Sequence, residues 1–154
     1  MKIILIGYPG SQFLVPFSKH LTEKYLPGFE IIYLNYEGPI EGWAKYLADY
    51  FSRLEDKHII FALDDYLISG PINETQYKLA ETYIKHTNEM CIKLCHSTEE
   101  EHLEYPVTTQ YTIWSRDHLI WLLVQIHLPI NNPWQFELNG SLLLKEHMKY
   151  SPMH

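Results

Sequence analysis

Cysteine is scarce in this chain: Cys91 and Cys95 are the only two. That excludes a disulfide framework, and "CIKLC" is a poor metal pair as well. On a strand the two thiols share a face roughly 13 Å apart, at a rise of ~3.3 Å per residue, which is too far for one ion. Core packing accounts for them better. The nine histidines are scattered, with no pair at a zinc spacing near a third ligand. Bases are few as well, twelve against nineteen acids, giving a formal charge of −7. No run of Lys or Arg interrupts this, which argues against a sequence-independent grip on nucleic acid phosphate. Long apolar runs are missing too. "LIWLLV" falls far short of the about 20 residues that a membrane-spanning helix needs. "MKIILIGYPG" carries no small-residue cleavage signal, so it reads as a core strand and not as a signal peptide. With no secretion signal and two thiols, a cytoplasmic location is the expectation.

The 154 residues are 46% hydrophobic and 14% aromatic, a globular composition of the size of one domain spanning residues 1–154. Repeats, low-complexity segments and linkers are lacking. Strand and helix signals alternate. "IILIG" (3–7) is a β-branched run ending at Gly7 and Pro9, and from Ser11 the positions Leu14, Phe17 and Leu21 have helical spacing until "LPG" at 26–28. "EIIYLNY" (30–36) is a second strand. Ile40, Trp43, Ala44, Leu47, Phe51 and Leu54 then mark one face of an amphipathic helix. "HIIFAL" (58–63) is a third strand. Asn73 with Gln76 forms a capping box for a helix whose inner face carries Tyr77, Ala80, Tyr83 and Ile84. "MCIKLC" (90–95) and "VTTQYTIW" (107–114) read as strands around an acidic loop, "STEEEH" (97–102). Ser115 is placed to cap a further helix with Trp114 and Leu119 as its hydrophobic staple, and a short helix is expected from Pro133 to about Gly140. This is a βαβαβ half followed by a looser α+β half: an α/β, Rossmann-like, mostly parallel sheet flanked by helices, whose ligands bind beyond the strand C-termini.

Three strand ends therefore share one rim: Gly7 to Ser11, Asn35 to Glu37, and Asp64 to Tyr66. At the last of these, two adjacent carboxylates follow five apolar residues. A divalent cation, Mg²⁺ or Mn²⁺, would offset their repulsion and take oxygen ligands from them and from a substrate phosphate. Alternatively the pair only terminates the strand and caps the turn toward Pro71. "GYPGSQF" (7–13) lacks the Gly-Lys-Ser/Thr of a Walker A loop, since Gln12 and Phe13 follow Ser11, so phosphate hydrolysis on a P-loop is disfavoured. Backbone N–H groups at the following helix could still meet a nucleotide. In "NPWQFELNGS", Glu137 stands among aromatics. There it is either a general base with a raised pKa or a helix-surface residue beside a core Trp134.

"IIFALDDYLISGPIN" (59–73), "YPVTTQYTIWSRDHLIWLL" (105–123) and "NPWQFELNGS" (132–141) together resemble a group of small bacterial and viral glycosyltransferase-like proteins with a GT-A nucleotide-sugar fold. The shared features are an acidic strand end followed by an aromatic, a Ser/Thr-x-Gln-x-x-Ile-Trp segment, and a Pro-Trp-x-Phe-Glu segment. The resemblance implies a metal-dependent, inverting transfer of a sugar from a nucleotide-activated donor to a glycan or other hydroxyl acceptor. Asp64 and Asp65 would hold the divalent cation (Mn²⁺ or Mg²⁺). Tyr8, Ser11, Asp64 and Tyr66 would meet the nucleotide-sugar; no Arg or Lys is obviously placed to grip its diphosphate, Arg116 and Lys145 being the candidates. Gln110, Trp114 and Trp134 would line the sugar or acceptor side, and Glu137 would be the catalytic base. A GT-A-like module that binds without transferring is the alternative.

Overall fold

Ile3 to Ile6 and Ile59 to Ala62 are all fully buried. Consecutive strand residues point to opposite faces, so both segments must lie inside a sheet covered on both sides. The computed structural model describes residues 1–7, 10–94, 106–126 and 133–150, with the side chains of Gln12 and of residues 147–150 left aside. Its strands are β1 (Lys2–Gly7), β2 (Glu30–Asn35), β3 (His58–Leu63), β4 (Cys91–Lys93) and β5 (Thr112–Ser115). Its helices are α1 (Val15–Tyr25), α2 (Trp43–Phe51), α3 (Glu74–His86), α4 (Arg116–Gln125) and α5 (Pro133–Tyr150).

The sheet order is β2-β1-β3-β5-β4. β1 pairs parallel with β2 and β3, whereas β5 is antiparallel to both β3 and β4. The α/β class holds, but the sheet is mixed and not simply parallel. The reversal has a plain cause. β4 ends and β5 begins at the same end of the sheet, the arrangement in which neighbouring strands pair antiparallel.

Two apolar layers result. Ile4, Ile6, Ile59, Phe61 and Trp114 face α2, α4 and α5, while Ile3, Leu5, Ile60, Ala62 and Ile113 face the opposite side, which α1 and α3 cover. On the first face Trp43 meets Phe136 edge-on at 5.7 Å and Phe51 meets Phe61 at 5.7 Å. Such pairs are worth about 0.5–1.5 kcal/mol each beyond their burial. The first of them ties α2 to the start of α5.

Three sequence expectations are corrected. Helical spacing turns Leu14, Phe17 and Leu21 inward in α1, yet Ser18 and Thr22 are the buried residues and Phe17 is 63% exposed. Thr22 Oγ1 hydrogen-bonds the buried Tyr111 hydroxyl at 2.7 Å, which turns the polar side of α1 inward. Tyr83 on α3 is likewise exposed, leaving Ile84 as the buried anchor. Finally, Gly140 does not stop a helix but lies inside α5. A Cβ there would come within 3.1 Å of Val107 Cγ1 and 3.3 Å of Leu122 Cδ2, so glycine is present for close approach. The Asn73 cap stands as expected, its side chain accepting from Gln76 N–H at 3.1 Å. Ser115 precedes α4 without a side-chain cap bond, although Trp114 and Leu119 are both fully buried. "VTTQYTIW" is in strand only from Thr112 and "MCIKLC" only over Cys91–Lys93. Cys95 and the 97–102 loop lie outside the described residues.

Candidate functional site

The C-terminal ends of β1, β2 and β3 are level, with Gly7 opposite Asn35 and Ile6 opposite Leu63. The β3 ladder runs one residue further, since Asp64 N–H donates to Ile6 O at 3.1 Å. Leu63 N–H donates to Thr109 O at 2.9 Å, and Leu94 N–H to Tyr111 O at 2.8 Å. The residues before β5 and after β4 thus reach the same rim.

On this rim the two adjacent acids part. Asp64 is still in the ladder, so alternation places its side chain on the Ala62 face, under α1. It is 1% exposed, and its Oδ1 accepts from Ser11 Oγ at 2.8 Å. Its Oδ2 has no hydrogen-bond partner among the described residues and sits 2.9 Å from where a Gly7 Cβ would be. A side chain at position 7 would therefore displace the carboxylate. Burial pushes the Asp64 carboxyl above the ordinary aspartate range; the Ser11 hydrogen bond lowers it in part and the Asp65 charge raises it further. Asp65 is exposed as a residue. Neighbouring atoms nonetheless desolvate its carboxyl enough to raise its pKa, and the charge of Glu137 adds to the shift.

Glu137 comes from α5, on the opposite face. Phe136, fully buried against Trp43, fixes the helix, and the next side chain emerges half-buried at the rim. Its environment is not the aromatic one that the sequence suggests. Oε1 accepts from Thr109 N–H at 2.5 Å, Thr109 Oγ1 at 2.7 Å and Thr108 Oγ1 at 3.1 Å. One turn on, Ser141 Oγ accepts from Val107 N–H at 3.1 Å, and the bare backbone of Gly140 lets this segment pack close. Thr108 and Thr109 are thus the carboxylate's holders, a role that the sequence reading does not assign to them. The available signal was two adjacent hydroxyl residues directly before Gln110.

Tyr66 and Gln110 meet at the same place. Burial and then the Glu137 charge push the Tyr66 pKa up, and the nearby Thr109 and Gln110 side chains lower it in part. Both residues line a cleft of about 430 Å³, together with the 67–73 loop, Gln76, Leu94 and Tyr111. That is within the usual size of small-molecule sites.

Other expected site residues lie elsewhere. Trp114 is fully buried in the core and pairs with Ile59, at the far end of β3. It does not line the cleft, because β5 runs antiparallel and carries its later residues away from the rim. Arg116 follows at that far end, donating to Leu54 O and pairing with Asp117, and so is not placed for a diphosphate at the rim. Lys145 stands eight residues beyond Glu137 on α5, about 12 Å along the helix at 1.5 Å per residue. Trp134 is 64% exposed one turn before Glu137 and is not part of the cleft wall. Tyr8 lies outside the described residues.

A divalent cation fits one acid better than the other. Asp65 is exposed and its ionisation is opposed by Glu137, a repulsion that a cation removes. Asp64 is enclosed by Ser11 and Gly7. Among the described residues no group of three or more His, Cys, Asp or Glu side chains is arranged to hold a metal ion, so an ion at Asp65 would complete its shell from water and substrate oxygens, as Mg²⁺ commonly does. No helix of the described residues is long and apolar enough to cross a membrane. No protein-family model matches the chain, and no curated protein matches it.

Proposed function

We propose that this chain is a GT-A-like glycosyltransferase that moves a sugar from a nucleotide-activated donor to a hydroxyl acceptor with inversion. One observation carries the reading. Asp65, Tyr66, Gln110 and Glu137, from three separate stretches, converge on one rim beyond the strand ends, where α/β sheets bind ligands. In this reading the acceptor hydroxyl attacks the anomeric carbon as the bond from that carbon to the phosphate oxygen breaks. The proton of the hydroxyl passes to Glu137, and the nucleoside diphosphate leaves with the bonding electrons. Thr108 and Thr109 hold Glu137 through Oε1, which leaves Oε2 to take the proton. Tyr66 and Gln110 orient the sugar or acceptor in the cleft. A divalent cation held at Asp65 would supply charge compensation to the departing diphosphate. Thermal-shift measurements against UDP-, GDP- and TDP-sugars, with and without Mn²⁺, test this. A metal-dependent rise in Tm with one of them is expected, and no shift with any of them refutes it.

A second reading has its own support. Arg116 is committed at the far end of the sheet, and the carboxylate of Glu137 has a structural task as well. A module that holds a nucleotide-sugar without turning it over accounts for both. It predicts a thermal shift with no release of nucleoside diphosphate.

A further inference from the structure

The rim cleft does not end at Tyr111. A second cleft of about 400 Å³ adjoins it, lined by Tyr77, Ala80 and Lys93. The two share Ile72, Asn73, Gln76 and Leu94 as walls, so a groove continues from Tyr66 and Gln110 along α3 beside the edge strand β4. Its chemistry is consistent along its length. Tyr66, Tyr111 and Tyr77 provide phenolic rings, and Gln110, Asn73 and Gln76 provide side-chain amides. Oδ1 of Asn73 is used in capping α3, which leaves its N–H groups as donors. Among the described lining residues there is no carboxylate, and Lys93 is the one charged side chain.

We propose that this groove binds an uncharged oligosaccharide chain, with the chain's end presented at the rim. Amides paired with aromatic faces suit neighbouring hydroxyls on an apolar ring, since each amide both donates and accepts while the ring covers C–H surface. Anionic chains are disfavoured by a protein of net charge −7 in which the described groove residues carry a single ammonium. An extended peptide is disfavoured because the adjoining edge strand has three residues, too few backbone groups to add a strand. The location of the presented hydroxyl rests on the transferase reading; binding in the groove does not.

The test is titration calorimetry of the full chain with neutral trisaccharides (maltotriose, cellotriose, chitotriose), a trigalacturonate as the anionic control, and an extended uncharged peptide. At least one neutral trisaccharide should bind the wild type. Gln76→Ala should weaken it about tenfold, as loss of a well-made amide–hydroxyl pair does, and Gln76→Trp should abolish it by filling the groove. Gln76 is exposed on α3, so both variants should melt with the wild type. Absence of neutral binding, indifference to Gln76→Trp, or preference for the trigalacturonate or the peptide overturns the proposal. Nucleotide-sugar thermal shifts on the same samples separate the two readings. Oligosaccharide binding without a nucleotide shift leaves the groove intact and removes the transferase. A nucleotide shift without oligosaccharide binding does the reverse.

Discussion

Replacing Glu137 separates its two tasks, because one substitution removes the clamp and another removes only the proton acceptor. In Glu137→Ala, three donors lose one oxygen: Thr109 N–H, Thr109 Oγ1 and Thr108 Oγ1. Hydrogen bonds to a charged group contribute about 1.5–3 kcal/mol each. The three share one acceptor and the site is half-buried, so water replaces part of them. The expected loss is about 2–4 kcal/mol, and for a chain of this size that lowers Tm on the order of 5–15 °C. Glu137→Gln keeps a carbonyl oxygen for the same donors and should cost only about 1 kcal/mol, the difference between charged and neutral acceptors. It cannot accept a proton, so transfer should fall by about 10²–10⁴, the usual contribution of a general base. Calorimetric melts of both variants, paired with release of nucleoside diphosphate, read the two effects separately. The clamp is refuted if Glu137→Ala melts within about 1 kcal/mol of the wild type. The base is refuted if Glu137→Gln, folded, turns over at the wild-type rate.

Two further perturbations follow from the same geometry. Burial is the largest cause raising the Asp64 pKa, so the folded state binds that proton more tightly than the unfolded chain. The stabilising contribution is full below the ordinary aspartate range and is lost as pH rises through the raised value. Asp64→Asn should therefore melt above the wild type at pH 7, with the gap closing as pH is lowered below that range; a less stable variant at pH 7 would show the ionised carboxylate to be held favourably. Gly140→Ala gains helix propensity of about 1 kcal/mol but forces the contact at 3.1 Å with Val107, and overpacking costs about 1–3 kcal/mol. Val107 is itself tethered to Ser141 and cannot retreat freely. The urea midpoint should fall, and a stabilised variant would mean that the Val107 segment moves.

Much of the fold was readable because its signals are local. β-branched runs ending in Gly, Asn or Asp located β1 to β3, and one apolar stripe located α2. What escaped was the direction of β5, since antiparallel pairing depends on where the preceding strand ends and not on the residues of β5. That one unknown explains why Trp114 and Arg116 were expected at the rim and lie at its opposite end, while Gln110, a few residues earlier in the chain, is at the rim. The orientation of α1 escaped because Tyr111, the partner of Thr22, is distant in sequence. Gly140 read as a stop because tertiary packing, here against Val107 and Leu122, leaves no mark in the local sequence. The paired acids were legible as a feature but not as two environments: alternation along β3 settles that only once Asp64 is known to remain in the ladder.

Thr109 shows why the site residues cohere across such distances in sequence. Its carbonyl accepts from Leu63, so it is bound to the end of β3 that delivers both acids. Its N–H and hydroxyl hold Glu137, whose charge acts on Asp65 and on Tyr66 at the cleft wall. Each partner is in turn set by the core: Leu63 by the sheet, Glu137 by Phe136 against Trp43. Positions fixed through strands and a buried aromatic pair vary less than positions held by loops. The rim geometry is thus a consequence of the packing beneath it, and any ligand that uses Asp65, Gln110 and Glu137 together meets an arrangement already formed.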